Sequence, residues 1–181
     1  MSVFKTQGII LNQKKIKDKE FIYTLFTKDF WKICANKKFS SKEKNLDIGY
    51  IINCEIETKQ NREIHKIKNI KIKYEFLNQK RNFSEINLYL ELLGYINKNL
   101  GDGIIVPEIY TIFETINKAS NINENKLILT KLKLKNILWE LPSQNKNPTL
   151  TKILKFIHNN PIQTILKLKI DKNIKDELKK I

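Results

Sequence analysis

The sequence predicts an α+β protein: a five-stranded β-barrel over residues 1–80 and an α-helical domain over residues 81–181. Three observations predict it. Side chains alternate with a period near two up to about residue 80, a helical period replaces it from about residue 83, and clusters of turn-forming polar residues separate the apolar runs.

The first strand reads as Thr6–Asn12. The polar stretch after it carries Lys14, Lys15, Lys17 and Lys19 and connects it to a second strand, Phe21–Phe26. Thr27-Lys28-Asp29 is short enough for a hairpin into a third strand, Trp31–Ala35. A basic, serine-containing loop follows, from Ala35 to Lys44. The fourth segment, Ile48–Glu57, places Ile48, Tyr50, Ile52, Cys54 and Ile56 on one face. Thr58-Lys59-Gln60-Asn61-Arg62 offers a second hairpin. Along the fifth segment, Ile64–Phe76, residues Ile70, Ile72, Tyr74 and Phe76 share one parity and Ile67 the other, which implies a bulge near Lys68 and Asn69. Five short segments rich in branched and aromatic residues, closed as a Greek key, make an oligonucleotide-binding (OB) barrel.

In the second half Asn82 or Ser84 can cap a helix carrying Ile86, Tyr89, Leu90 and Leu93, ended by Gly101-Asp102-Gly103. Pro107 suits the start of a second helix with Ile109, Ile112, Phe113 and Ile116. A third, from Asn125 to Leu141, is apolar around much of its circumference, Trp139 included, and is expected to be the central helix. Pro148 and Pro161 start two further helices. Asp171 can cap a last one with Ile174, Leu178 and Ile181 on one face.

A formal net charge of +15, from 34 basic and 19 acidic residues, favours a polyanionic partner. The excess is denser in the β half, which holds 18 basic and 9 acidic residues against 16 and 10 in the remainder. Codon bias competes with that explanation, because Lys, Ile and Asn dominate and Arg62 and Arg81 are the only arginines. Cys34 and Cys54, the only cysteines, sit inside strand patterns and read as small apolar residues; no zinc site is available from them. Met1-Ser2-Val3-Phe4-Lys5 is no signal-peptide core and no apolar run is long enough to span a bilayer, so a cytoplasmic protein without membrane contact is expected.

The candidate DNA-binding residues are Lys14 and Lys15 in the first connection, Lys37, Lys38, Lys42 and Lys44 in the second, Lys32 beside it, and Trp31 for stacking on a base. Lysine supplies point charges in place of arginine forks, which implies little base readout. Tyr23, Tyr50 and Phe30 are weaker stacking candidates, the two tyrosines reading as core. Evidence for an enzyme is poor: His65 and His158 lack metal-ligand spacing, the five glycines form no phosphate loop, and no catalytic residue, metal site or cofactor is expected.

Taken in order, the segments resemble the bacterial recombination mediator family RecO. Thr6-Gln7-Gly8-Ile9-Ile10-Leu11 resembles that family's opening strand, Tyr23-Thr24-Leu25-Phe26-Thr27-Lys28-Asp29 its second strand and hairpin, and Ile33-Cys34-Ala35-Asn36-Lys37-Lys38 the strand and basic turn that follow. Leu88 to Leu93, Ile109 to Ile116, Leu127 to Leu141 and Ile153 to Leu178 correspond to its helices. Trp31 stands where the family usually has a glycine, and Ser143 to Asn147 replaces its frequent four-cysteine zinc insertion, so the resemblance is to a shortened, zinc-free member. It implies a non-catalytic, nucleoid-associated DNA repair and recombination protein that binds single- and double-stranded DNA and anneals complementary strands. With RecR it would load RecA onto DNA covered by single-stranded-DNA-binding protein, whose C-terminal tail it would bind. Two alternatives stay open on the residues alone: an OB-fold RNA-binding accessory protein, and a protein-interaction scaffold whose charge is genomic bias.

Overall fold

The computed structural model describes residues 2–40, 43–58, 63–76, 79–101 and 103–181. β1 (Ser2–Lys17) pairs antiparallel with β2 (Glu20–Thr27), and β2 with β3 (Lys32–Lys38). β4 (Tyr50–Thr58) pairs antiparallel with β5 (Ile64–Glu75) and with β1, while β3 and β5 run parallel from Cys34↔Ile64 to Asn36↔Lys66. The order β1-β2-β3-β5-β4 therefore closes on itself, which removes unpaired sheet edges.

β1 is far longer than its apolar signal. Only Thr6 and Gly8 to Leu11 are buried along its 16 residues, and the ladders carry the exposed ends, to Ser2↔Thr58 on one side and Lys17↔Glu20 on the other. Lys14, Lys15 and Lys17 are thus strand residues and not loop residues, a correction to the expected connection. Lys19 occupies the tight turn with φ 60°. The same correction applies to Lys37 and Lys38, which end β3.

The run Ile9-Ile10-Leu11 breaks alternation because β1 is covered on both sides. Ile10 joins Tyr23, Leu25, Ile33, Ala35, Tyr50, Ile52, Cys54, Ile56 and Ile67 inside the barrel. Ile9 and Leu11 face the helices together with Phe26, Ile51 and Phe76. Ile48, expected on the inner face, packs with that second group instead, since β4 begins only at Tyr50. The expected bulge in β5 is present: the register slips between Asn53↔Lys71 and Glu55↔Lys68, and Asn69 takes φ 49°.

Six helices follow: α1 (Phe83–Asn99), α2 (Pro107–Lys118), α3 (Glu124–Ile137), α4 (Pro148–Asn159), α5 (Ile162–Ile165) and α6 (Lys172–Leu178). Asn82 caps α1, accepting from the Glu85 N–H at 2.9 Å while the Glu85 carboxylate accepts from the Asn82 N–H at 3.2 Å. α3 is the central helix, touching α1, α2, α4, α5 and α6. It stops short of Leu141. Glu140 N–H bonds the Lys135 carbonyl and Trp139 N–H that of Asn136, a Schellman ending that puts Trp139 at φ 61° and 90% exposed. Trp139 is therefore no core residue, and the helix ends at Ile137, five residues before Pro142.

Strand gives way to helix near residue 80 as expected, yet one apolar cluster joins the two halves. Phe76 stacks on Tyr89 of α1 with ring centroids 3.9 Å apart. The Asn117 amide of α2 donates to the Tyr89 hydroxyl at 2.8 Å, and that hydroxyl donates to the Gly49 carbonyl at 2.9 Å. This buried relay locks α1, α2 and the start of β4 into one register. Among the described residues no helix is long and apolar enough to cross a membrane.

Candidate nucleic-acid interface

Partners in a ladder share a face, so register locates every strand lysine. Tyr23 is fully buried in the barrel, so its neighbour Ile22 points outward. The outward row through Ile22 reads Lys14↔Ile22↔Asn36↔Lys66 across β1, β2, β3 and β5. At roughly 4.8 Å per strand, its two lysines stand about 14 Å apart. One step toward the β1–β2 turn, Lys17↔Glu20↔Lys38 forms the next outward row, beside exposed Lys19. Both rows lie on the outer face of β2 and β3. No hydrogen bond or ion pair engages the side chains of Lys14, Lys17, Lys38 or Lys66 among the described residues, so their ammonium groups are open to an external anion; Glu20 stands among them, and Glu57, which pairs with Lys68, lies opposite Lys66 in the β4–β5 ladder.

The remaining candidates are held elsewhere. Lys37 has the opposite parity to Lys38: its ammonium pairs with Glu43 at 2.6 Å and lies 5.5 Å from the Phe39 ring centroid, at the barrel mouth. The Lys37 hydrogen bond and the Ser40 N–H together pull the Glu43 carboxyl down to about 2. Lys44 pairs with Glu75 at 2.6 Å, which raises its own pKa, and lies 5.7 Å from the Tyr50 ring. Lys15 pairs with Asp18 at 3.3 Å in the exposed turn. Lys32 donates to the Asn97 and Leu100 carbonyls at 3.3 and 2.7 Å, neutralising the negative end of the α1 dipole. Lys42 lies outside the described residues. Of the expected set, Lys14 and Lys38 share the open β2–β3 face, and Trp31 borders it.

Trp31, just ahead of β3, is 41% exposed. It meets Phe30 edge-on at 6.3 Å, and Phe30 meets Phe4 edge-on at 5.2 Å. Tyr23 and Tyr50 are core residues; burial, with the Asp47 charge adding, pushes the Tyr23 hydroxyl up to about 12. Cys54 is buried and its thiol is likewise pushed up to about 12. Cys34, expected in the core, is only half-buried because it shares the outward parity of Asn36. Arg81 is structural. Its guanidinium binds the Ala119, Ser120 and Ile122 carbonyls at 2.9, 3.3 and 3.1 Å and lies 4.9 Å from the Phe76 ring.

Sequence reasoning missed Lys66. Its place opposite Asn36 depends on the parallel β3–β5 ladder, and nothing in a single sequence reports which strands close a barrel. No family model matches this chain, and no curated protein matches it in sequence.

Proposed function

We propose that this chain is a non-catalytic, RecO-like DNA-binding protein that holds single-stranded DNA along the outer face of β2 and β3 and brings complementary strands together. The observation that carries the proposal is the pair of outward rows containing Lys14, Lys66, Lys17 and Lys38. Reading the strands as an OB fold is supported by the closed order β1-β2-β3-β5-β4, and that fold binds oligonucleotides on the strand 2–3 face, beside the turn between its first two strands. The lysine rows occupy that same face.

The mechanism is electrostatic. Flexible ammonium groups neutralise phosphates without reading bases, so binding tolerates any sequence. A second strand then approaches a polyanion whose charge is already partly cancelled, and mutual repulsion falls. Partnership with RecR, the tail of single-stranded-DNA-binding protein and RecA loading rest on the order of segments that resembles the RecO family. Strand annealing tests the proposal. Replacing Lys14, Lys38 and Lys66 with glutamate should slow annealing of complementary oligonucleotides at least tenfold, whereas glutamate at Lys167, Lys169 and Lys172 on the far helical end should do much less. Equal defects would assign binding to diffuse charge and remove the β2–β3 face from the account.

A further inference from the structure

Two residues along β3 from Asn36 the outer face changes character. Cys34, opposite Ile64, floors a cleft of about 630 Å³ whose walls include Trp31, Ile22 and Ile64. Trp31 and Ile64 are 41% and 43% exposed, so two large apolar surfaces stay wet beside the open lysines. The volume is that of a cleft for a small organic ligand. Resting on the nucleic-acid reading above, we infer that this cleft takes one unstacked nucleobase of the bound single strand, with the Trp31 indole as its stacking platform.

Three features support the assignment. The cleft is collinear with the phosphate track, since Ile22 and Asn36 belong to the Lys14–Lys66 row and Cys34 and Ile64 to the ladder position one alternation further on. A DNA strand that crosses the two lysine rows along β3, from Lys38 past Asn36, therefore delivers its next bases to Cys34 and Trp31. The indole is also braced: the edge-on chain Phe4, Phe30, Trp31 restricts it before any ligand arrives, which lowers the entropy lost on stacking. The end of the cleft beside Trp31 is anchored by Lys32, tied to the last carbonyls of α1, so the wall does not move with the barrel loops.

Specificity for strand state follows. A base in a duplex is held by its pair and its stack, both of which must be broken to extract it, while a single strand offers bases already free. The cleft thus discriminates single from double strands, which the lysine rows alone do not. A base has a π-face whatever its identity, so sequence tolerance is kept.

The test compares wild type, Trp31→Ala, Trp31→Phe and the Lys14/Lys38/Lys66→Glu variant, each titrated with an oligothymidylate and with a blunt duplex of equal length. Among the described residues the hydrogen bonds of Trp31 run through its carbonyl, which accepts from Thr27, and not through the indole, so the alanine variant keeps its structure. Trp31→Ala should bind the single strand roughly ten- to a hundredfold more weakly and leave duplex affinity within about twofold, and Trp31→Phe should restore most of the loss. Unchanged single-strand affinity, or an equal loss on duplex, would overturn the base cleft while leaving the lysine face standing. A lysine variant that loses neither ligand would overturn the nucleic-acid face itself. In a Trp139→Phe background, saturating oligothymidylate should quench the remaining Trp31 emission; an unquenched indole at saturation would also defeat the inference.

Discussion

Replacing Gly49 with alanine should destabilise the protein by about 2–5 kcal/mol through a single added methyl group. Gly49 holds φ +83°, a conformation that costs a side-chain-bearing residue roughly 1–2 kcal/mol. Its Cβ would lie 2.6 Å from Cε1 of Tyr89 and 3.2 Å from Cδ1 of Leu93. Tyr89 cannot swing aside without loss, because its ring stacks on Phe76 at 3.9 Å and its hydroxyl links the Asn117 amide to the Gly49 carbonyl. Overpacking of this kind costs roughly 1–3 kcal/mol. The sum is a large share of the roughly 5–15 kcal/mol by which a domain is stable. Urea unfolding followed by circular dichroism measures it, with the midpoint lowered and the slope unchanged. Pairing Gly49→Ala with Tyr89→Leu should give less than the sum of the single effects, since the steric part disappears with the ring. A Gly49→Ala protein within about 0.5 kcal/mol of wild type would mean that neither the positive φ nor the close contact with Tyr89 holds in solution.

Trp139→Gly should stabilise the protein by about 0.5–1 kcal/mol, because the left-handed position ending α3 suits glycine and the indole is 90% exposed; thermal unfolding should shift upward by a few degrees, and a downward shift would contradict it. The Glu43 carboxyl, held down to about 2 chiefly by Lys37, should give a carboxyl NMR titration midpoint near 2 that moves toward the usual carboxylate range in Lys37→Ala. A depressed carboxyl stabilises the fold above its ordinary pKa and loses that contribution as pH falls toward the folded value, so any stability difference between wild type and Lys37→Ala should be present at neutral pH and vanish in acid. Lys32→Ala should lower the unfolding midpoint by removing the donor to the α1 carbonyls, and an unchanged midpoint would show that the helix end needs no such partner.

The strands and helices were legible in the sequence because burial imposes periodicity. Tyr50, Ile52, Cys54 and Ile56 alternate since one face of β4 fills the barrel, and the parity break between Ile67 and Ile70 marks the bulge at Asn69. The ends of β1 were not legible. Lys14 and Lys17 are polar residues on an exposed hairpin arm held by backbone hydrogen bonds, which any side chain permits. Trp139 misled for the opposite reason: an aromatic at helical spacing normally marks a buried face, and here the Schellman ending turned it outward. The basic stretch after β3 was legible as charge but not as geometry. Lys37 and Lys38 are adjacent in sequence, yet strand parity sends one to Glu43 and leaves the other open, while the Lys44 partner Glu75 is 31 residues distant. Lys66 entered the candidate face only through the parallel ladder of β5 on β3.

Electrostatic capture of phosphates by the outer β2–β3 face sets the salt dependence of oligonucleotide binding. If about five phosphates are neutralised, a logarithmic slope near −0.7 per contact implies roughly a hundredfold loss of affinity between about 50 and 200 mM salt. Fluorescence anisotropy with a mixed-sequence single strand should give that slope for wild type and a slope shallower by about two for Lys14/Lys38/Lys66→Glu, with RNA of equal length bound more weakly than DNA. A flat salt response, or an unaltered slope in the triple variant, would contradict the assignment of the outer β2–β3 face as the phosphate track, and tighter binding of RNA would contradict the choice of DNA as its ligand.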